Sequence, residues 1–375
     1  MLVAGMVTTI GSLPHVEVDG AVRFALDAAH DLPAAPQLPR RSRLEGMLAQ
    51  VAVGIPGVRV TAAGGLAVEG SLRAPGRVPD RGGGAGALDP EAHGGALAFL
   101  RAAGLRAAGL RAAALRAAAG QGEAASGGLG GPVKLQLTGP VTLALALVDA
   151  GADPSVAALV AREAVRRVGA GLVAAARAAL PGCGLTVWLD EPGLVRHRPG
   201  PFDGPGLSGL LAGGLEALGP GVVTGVHCCG ATDWGPVVAA GPDVLSLPVD
   251  AVGAVGDAPD AGGALARHLA GGGWVAWGAV PTDRPVSAPD EGALWDRLVT
   301  TWALLATAGC DPDRLRRQAL VTPVCGLAGL DLAAAGTVVE LTVALGRRVA
   351  ALTPLRAPAT ETELPRLGRQ RARRL

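Results

Sequence analysis

The 375-residue chain has no tyrosine, no asparagine and one lysine, Lys134. Isoleucine occurs only at Ile10 and Ile55, and phenylalanine three times. The scarce residues have AT-rich codons; the surplus Ala, Gly (58), Arg and Pro (29) have GC-rich ones. The skew reads as nucleotide bias pressing on the surface, not as a fibre or a disordered chain. Charged residues are only 17% against 49% hydrophobic, so the chain can bury a core. With 33 basic and 32 acidic residues the net charge is +1, which gives no general case for nucleic acid. No apolar run of about 18 residues is free of breakers, so no membrane span is expected. The N-terminal stretch from Met1 to Val7 lacks a basic flank and a long apolar core, so a secretory signal is not expected and a cytoplasmic location is. Five cysteines (Cys183, Cys228, Cys229, Cys310, Cys325) argue against a disulfide framework and for reduced thiols or metal ligands.

What is present is an alternation. Short runs rich in Val, Leu and Trp predict strands at 5–10, 58–62, 133–138, 185–190, 222–227, 244–249, 274–280 and 319–325. Near-continuous apolar runs are what strands buried on both faces require. Ala/Leu-rich segments predict helices at 18–30, 92–118, 155–180, 206–217, 232–240, 260–271, 288–308 and 331–351. Eight β/α units favour an α/β fold of the closed (β/α)8 TIM barrel type, one domain over 1–360, against a doubly wound open sheet. A Gly/Ala-rich insertion spans about 70–131, and 361–375 is a basic tail. Within the insertion, Leu100, Leu105, Leu110 and Leu115 recur five apart. At about 100° per residue that spacing puts them on no single helical face.

Candidate chemistry sits at the ends of the expected strands, where barrels of this class build their sites. His227 and Cys229, in VHCCG, are i and i+2 at the end of the fifth strand and point the same way. Cys325, in TPVCGL, ends the eighth and opens into the same mouth. Imidazole and thiolate donors suit Zn2+, and three ligands with an open position is its catalytic arrangement. The alternative is that these cysteines are small core residues. Cys228 faces the other way and is expected in the core, and Cys183 and Cys310 lie before strands on the far side. In Leu189-Asp190-Glu191-Pro192, Asp190 is either an ammonium-binding carboxylate or a helix cap. Thr9-Ile10-Gly11-Ser12 ends the first strand with a glycine that permits close approach and a hydroxyl that can bind a carboxylate. Thr138-Gly139-Pro140 reads as turn geometry.

Taken in order, TTIGSLP, LTGPVT, LDEP, VHCCG and TPVCGL resemble the cobalamin-independent methionine synthase family, specifically its C-terminal catalytic barrel within the uroporphyrinogen decarboxylase/methionine synthase superfamily. The resemblance covers about residues 6–350. It implies a zinc-dependent methyltransferase with His227, Cys229 and Cys325 as metal ligands. It implies homocysteine as the default thiol acceptor, giving methionine, with Ile10, Gly11, Ser12 and Asp190 holding its amino-acid part and Asp190 as the catalytic carboxylate. The methyl donor it implies is a folate or a corrinoid protein. The chain departs from the family at three places. Pro248 stands where the family has a zinc-binding glutamate, with Asp250 as a substitute two residues on. Thr282 and Asp283 stand near the family's histidine, and Arg196 near a further acidic residue. The alternatives are a divergent barrel that binds zinc or a thiol metabolite without catalysis, and a metal-free decarboxylase-like lyase.

Overall fold

Six apolar runs form one parallel sheet: β3 (Val133–Thr138), β4 (Leu185–Asp190), β5 (Val223–His227), β6 (Val244–Pro248), β7 (Trp274–Val280) and β8 (Ala319–Pro323), in that order across the curled sheet. Nearly every residue in these strands is buried, as expected when helices cover one face and the other lies on the concave side of the curl. The computed structural model describes residues 2–28, 31–72, 88–118, 131–196, 202, 204–253 and 261–352. The basic tail and most of the glycine-rich insertion lie outside them.

The helices are α1 (Val18–Ala28), α2 (Met47–Ala52), α3 (Gly94–Ala118), α4 (Pro140–Asp149), α5 (Pro154–Ala179), α6 (Gly204–Glu216), α7 (Trp234–Ala239), α8 (Asp250–Gly253), α9 (Ala261–Ala270), α10 (Glu291–Thr307), α11 (Pro312–Arg317) and α12 (Leu332–Ala351). Four helices start on a capping aspartate. Asp153, Asp233, Asp311 and Asp331 each accept first-turn N–H bonds of α5, α7, α11 and α12.

Six of the eight expected strands lie in the sheet. The other two expectations need correction. Residues 58–62 belong to a separate antiparallel hairpin, β1 (Val58–Val60) with β2 (Leu66–Val68). Segment 5–10 runs along the β8 edge but makes only an isolated bridge, Val7 to Val321, with hydrogen bonds from Gly5 N and Thr8 N to β8 carbonyls. The β3 edge is occupied by residues 33–37, which bridge Lys134 through Ala34. Pro33 and Pro36 have no N–H to donate, so this segment cannot build a regular ladder. A third bridge, Ser12 to Gln37, joins the two edge segments.

The register places Thr138, Asp190, His227, Ser246, Ala276 and Leu320 in one row across all six strands. Residues two positions along share that face. Ala276 and Leu320 of this row pack with Ile10, Trp188 and Val244 into a small apolar interior, separate from the larger core under the helices. The sheet's inner face thus has an apolar patch beside the Lys134–Gln136 pair of β3, and polar groups where β3 to β6 end.

In α3 the leucine repeat is not the buried stripe. Ala96, Phe99, Leu100, Ala103 and Ala107 are buried at helical spacing, while Leu105 is 77% exposed. Gly104 lets the α5 carbonyl of Ala179 come within 2.6 Å of where a Cβ would stand. The packing face of the helix is made mainly of alanines.

Candidate metal centre

His227 closes β5 in the polar row and is buried. Its Nδ1 lies 2.9 Å from Ser246 Oγ on β6. Nε2 is buried and meets no partner at hydrogen-bonding geometry among the described residues, and the nearby Cys325 thiol is the side chain that acts on the ring. Burial holds the imidazole pKa below its ordinary value, so the ring is neutral, as a metal ligand must be. Cys228 continues the strand through its N–H to the Ser246 carbonyl. Its side chain joins the outer core, as expected, and burial pushes its thiol up to about 12. Cys229 then returns to the inner side, and Cys325 arrives from the turn after β8. The ligand atoms of His227, Cys229 and Cys325 lie within 4.8 Å of one another, the one such cluster among the described residues. The two half-buried thiols compete. The neighbouring Cys229 sulfur is the main reason the Cys325 thiol is pushed up to about 12. The hydrogen bond from Cys325 in turn lowers Cys229. One negative charge is accommodated and a second is repelled, so a cation between them would relieve the conflict. An orphaned imidazole nitrogen and two convergent thiols fit Zn2+, which takes His and Cys donors in tetrahedral sites. Ser246 would fix which imidazole nitrogen faces the ion.

The fourth-ligand expectation for Asp250 fails. Asp250 begins α8 beyond the end of β6, is largely exposed, and forms an ion pair with Arg297 on α10. Pro248 is buried at the strand end beside Gly278. Thr282 is half-buried, and Asp283 is exposed. Arg196 ends a short 3-10 turn, Pro192–Arg196. Cys183 and Cys310 are free thiols away from the cluster, bonded to the carbonyls of Gly131 and Gly262.

The adjacent carboxylates part company. Glu191 reaches over Gly139, the N-cap of α4, which has no side chain of its own to cap with. It accepts bonds from Val141 N at 3.0 Å, Thr142 N at 2.6 Å and Thr142 Oγ1 at 2.6 Å. The cap alternative raised for Asp190 therefore belongs to Glu191, and the Thr-Gly-Pro turn is geometry, as expected. Asp190 points inward in the register position next to His227, buried, with Oδ1 unpartnered among the described residues. Burial pushes its carboxyl up to about 7, against the pull of Lys134.

The Ile10–Ser12 turn closes the third side. Gly11 has φ +127°, and a side chain there would overlap the Gln136 amide. Only glycine is at ease in both respects. Ser12 sits against Gly326, where any side chain would overlap its hydroxyl, and its carbonyl accepts Leu327 N at 2.8 Å. The turn is therefore locked to the loop that carries Cys325. The structure brings Ser12, Asp190 and the His227, Cys229 and Cys325 group to one end of the curled sheet, and Ile10 to its interior.

Two inward residues were not foreseen as part of the site. Thr322 on β8 is fully buried with Oγ1 unpartnered among the described residues. Lys134, on β3, is fully buried, 4.6 Å over the Trp188 ring. Its signal was in plain view, because the only lysine of the chain lies within an otherwise apolar strand.

No family model matches the sequence, and no curated protein matches it. The fold is similar to that of a B12-independent methionine synthase from Shewanella sp. W3-18-1, solved in complex with selenomethionine. That alignment has a TM-score of 0.53 at 15% identity and covers 93% of this chain and 98% of the other. It is similar also to a methyltransferase from Methanosarcina mazei, with a TM-score of 0.51 at 15% identity, covering 91% and 93%. At this identity the likeness shows the fold alone.

Proposed function

We propose that the protein is a zinc-dependent methyltransferase acting on a thiol, with homocysteine as the default acceptor and methionine as product. The observation that carries the reading is the convergence of His227, Cys229 and Cys325 at two strand ends, with a buried, unpartnered imidazole nitrogen. The two structural neighbours, a methionine synthase holding selenomethionine and a methyltransferase, support the class of reaction. In this reading the edge segments 5–12 and 33–37 are the two remaining staves of a closed (β/α)8 barrel, supported by the three isolated bridges that link them to β8, to each other and to β3.

His227, Cys229 and Cys325 would hold the ion, leaving a fourth position open for the acceptor. Bound zinc keeps a coordinated thiol as thiolate at neutral pH. The protein's own contribution is placement. The free Asp190 Oδ1 takes the acceptor's ammonium, and Ser12 with its glycine turn takes the carboxylate. Asp190 is set in the row of strand ends and Ser12 in a turn locked to the Cys325 loop, so the sulfur would be presented at a defined geometry to the methyl donor. A zinc- or thiol-binding barrel without catalysis is the second reading. The observation that favours it is Asp250, turned away to Arg297, which leaves three protein donors in the cluster. The metal-free lyase has no use for the paired thiols.

The test has two stages. Zinc is quantified in the purified protein and in Cys229→Ser and Cys325→Ser; full retention in both variants overturns the site. Methyl transfer to homocysteine is then followed with methylfolate and methylcorrinoid donors. Product formation that both variants abolish supports the enzyme, whereas bound zinc without transfer from either donor supports the second reading.

A further inference from the structure

The inner face of the sheet carries one cation, and it is held in an unusual way. Lys134 Nζ donates to the Ile10 carbonyl at 2.8 Å and to Gln136 Oε1 at 3.1 Å. Gln136 in turn donates through Nε2 to the Ala35 carbonyl at 2.6 Å, and its amide fills the space left by the missing Gly11 side chain. Trp188 lies under the ammonium and over Gly225, where a side chain would overlap its ring. The lysine is therefore fixed from three sides: turn, strand and ring. Asp190 is close enough for the two charges to act on each other, yet among the described residues they share no hydrogen bond or ion pair. The lysine offsets the carboxylate's charge and leaves Oδ1 without a partner. A direct salt bridge would have consumed that oxygen.

We propose that Lys134 is the positioning residue that makes this site selective for zwitterionic amino-acid thiols over neutral thiols. Its bonds to Ile10 and Gln136 set the Ile10–Ser12 turn where a ligand carboxylate docks, with a buried positive charge behind it. Its distance from Asp190 keeps a compensated but open carboxylate for the ligand ammonium. One buried cation thus serves both ends of the zwitterion, and the metal cluster is left to read only the sulfur. A buried charge without such ties would be strongly disfavoured, which is why its partners are a carbonyl, an amide and an aromatic face.

The inference rests on the thiol-acceptor reading, and the experiment separates the two. Zinc-loaded protein is titrated calorimetrically with homocysteine and with 2-mercaptoethanol, for wild type, Lys134→Met and Lys134→Gln. The first variant keeps the length and the contact with Trp188 but removes charge and donors. The second keeps a donor without the charge, and carries the test if the first does not fold. Wild type should bind homocysteine at least tenfold more tightly than 2-mercaptoethanol. The variants should lose that preference while zinc content and 2-mercaptoethanol affinity stay at wild-type values. A wild type without preference overturns both the acceptor reading and this one. A wild-type preference that persists undiminished in the variants overturns the role of Lys134 alone. A variant that weakens both thiols equally, or loses zinc, assigns Lys134 to scaffolding and also overturns it.

Discussion

Replacing Glu191 by Gln is the sharpest probe of how the strand ends are tied to the helices. The carboxylate is fully buried and accepts three hydrogen bonds from the first turn of α4. Burial nevertheless dominates and pushes its pKa from 4.5 up to about 7, with Asp190 beside it adding in the same direction. The folded protein therefore prefers Glu191 protonated. A raised folded pKa means the stabilising contribution is complete below the unfolded pKa and is lost as pH rises through the folded one. At about 1.4 kcal/mol per unit, a shift of this size is worth about 3 kcal/mol, lost between roughly pH 4.5 and pH 7. Glutamine is the neutral isostere and does not titrate. Near pH 4.5 the wild type should be the more stable by about 1 to 2 kcal/mol, because the amide NH2 cannot accept the Thr142 N–H. By pH 8 that advantage should vanish or reverse. Urea unfolding of both proteins, with metal removed, at pH 4.5, 6, 7 and 8 gives the difference directly. A difference that does not change with pH would show that the hydrogen bonds outweigh burial and that Glu191 is ionised throughout.

Four further outcomes are expected. Ser246→Ala should leave the His227 ring unoriented and weaken zinc binding roughly 10- to 100-fold, read by competition with a chromophoric chelator, while the fold is kept. Gly11→Ala should cost more than about 1 kcal/mol in urea unfolding, because alanine is strained at φ +127° and its methyl displaces the Gln136 amide. Phe99→Ala should cost about 3 to 5 kcal/mol from the core side of α3. Leu105→Ala, on the exposed side, should change stability by less than about 0.5 kcal/mol, and equal effects of these last two would refute the alanine-stripe packing.

Some of this was legible in the residues, and the physical reasons for the rest are particular. Parallel strands buried on both faces read as apolar runs, which is why 133–138, 185–190 and 274–280 were found with nearly their true ends. His227 and Cys229 were paired by the two-residue period of a strand, and Cys325 was brought to them by the expectation that strand ends converge. Segment 33–37 was invisible because its prolines suppress the very pattern that marks a strand. Residues 58–62 do alternate, but as half of a hairpin, and alternation does not say which sheet a strand joins. Lys134 was counted and passed over, since lysine in a strand usually faces water. Its burial depends on the Ile10 carbonyl and Trp188, which stand 124 and 54 positions away and meet it only on folding. Asp250 was misjudged because two residues past a strand end the chain had already turned into α8.

The split between Asp190 and Glu191 has a consequence for how this chain can vary. Neighbours on a strand face opposite sides, so these two adjacent acids serve two different compartments through a single peptide bond. Removing one residue between Leu185 and Leu189 would turn each acid to the opposite side of the strand. Glu191 would then stand beside His227, and α4 would begin uncapped. Interior chemistry and helix anchorage would fail in the same stroke, although no residue of either had been substituted. The length of β4 is therefore as much a part of the candidate centre as any of its side chains.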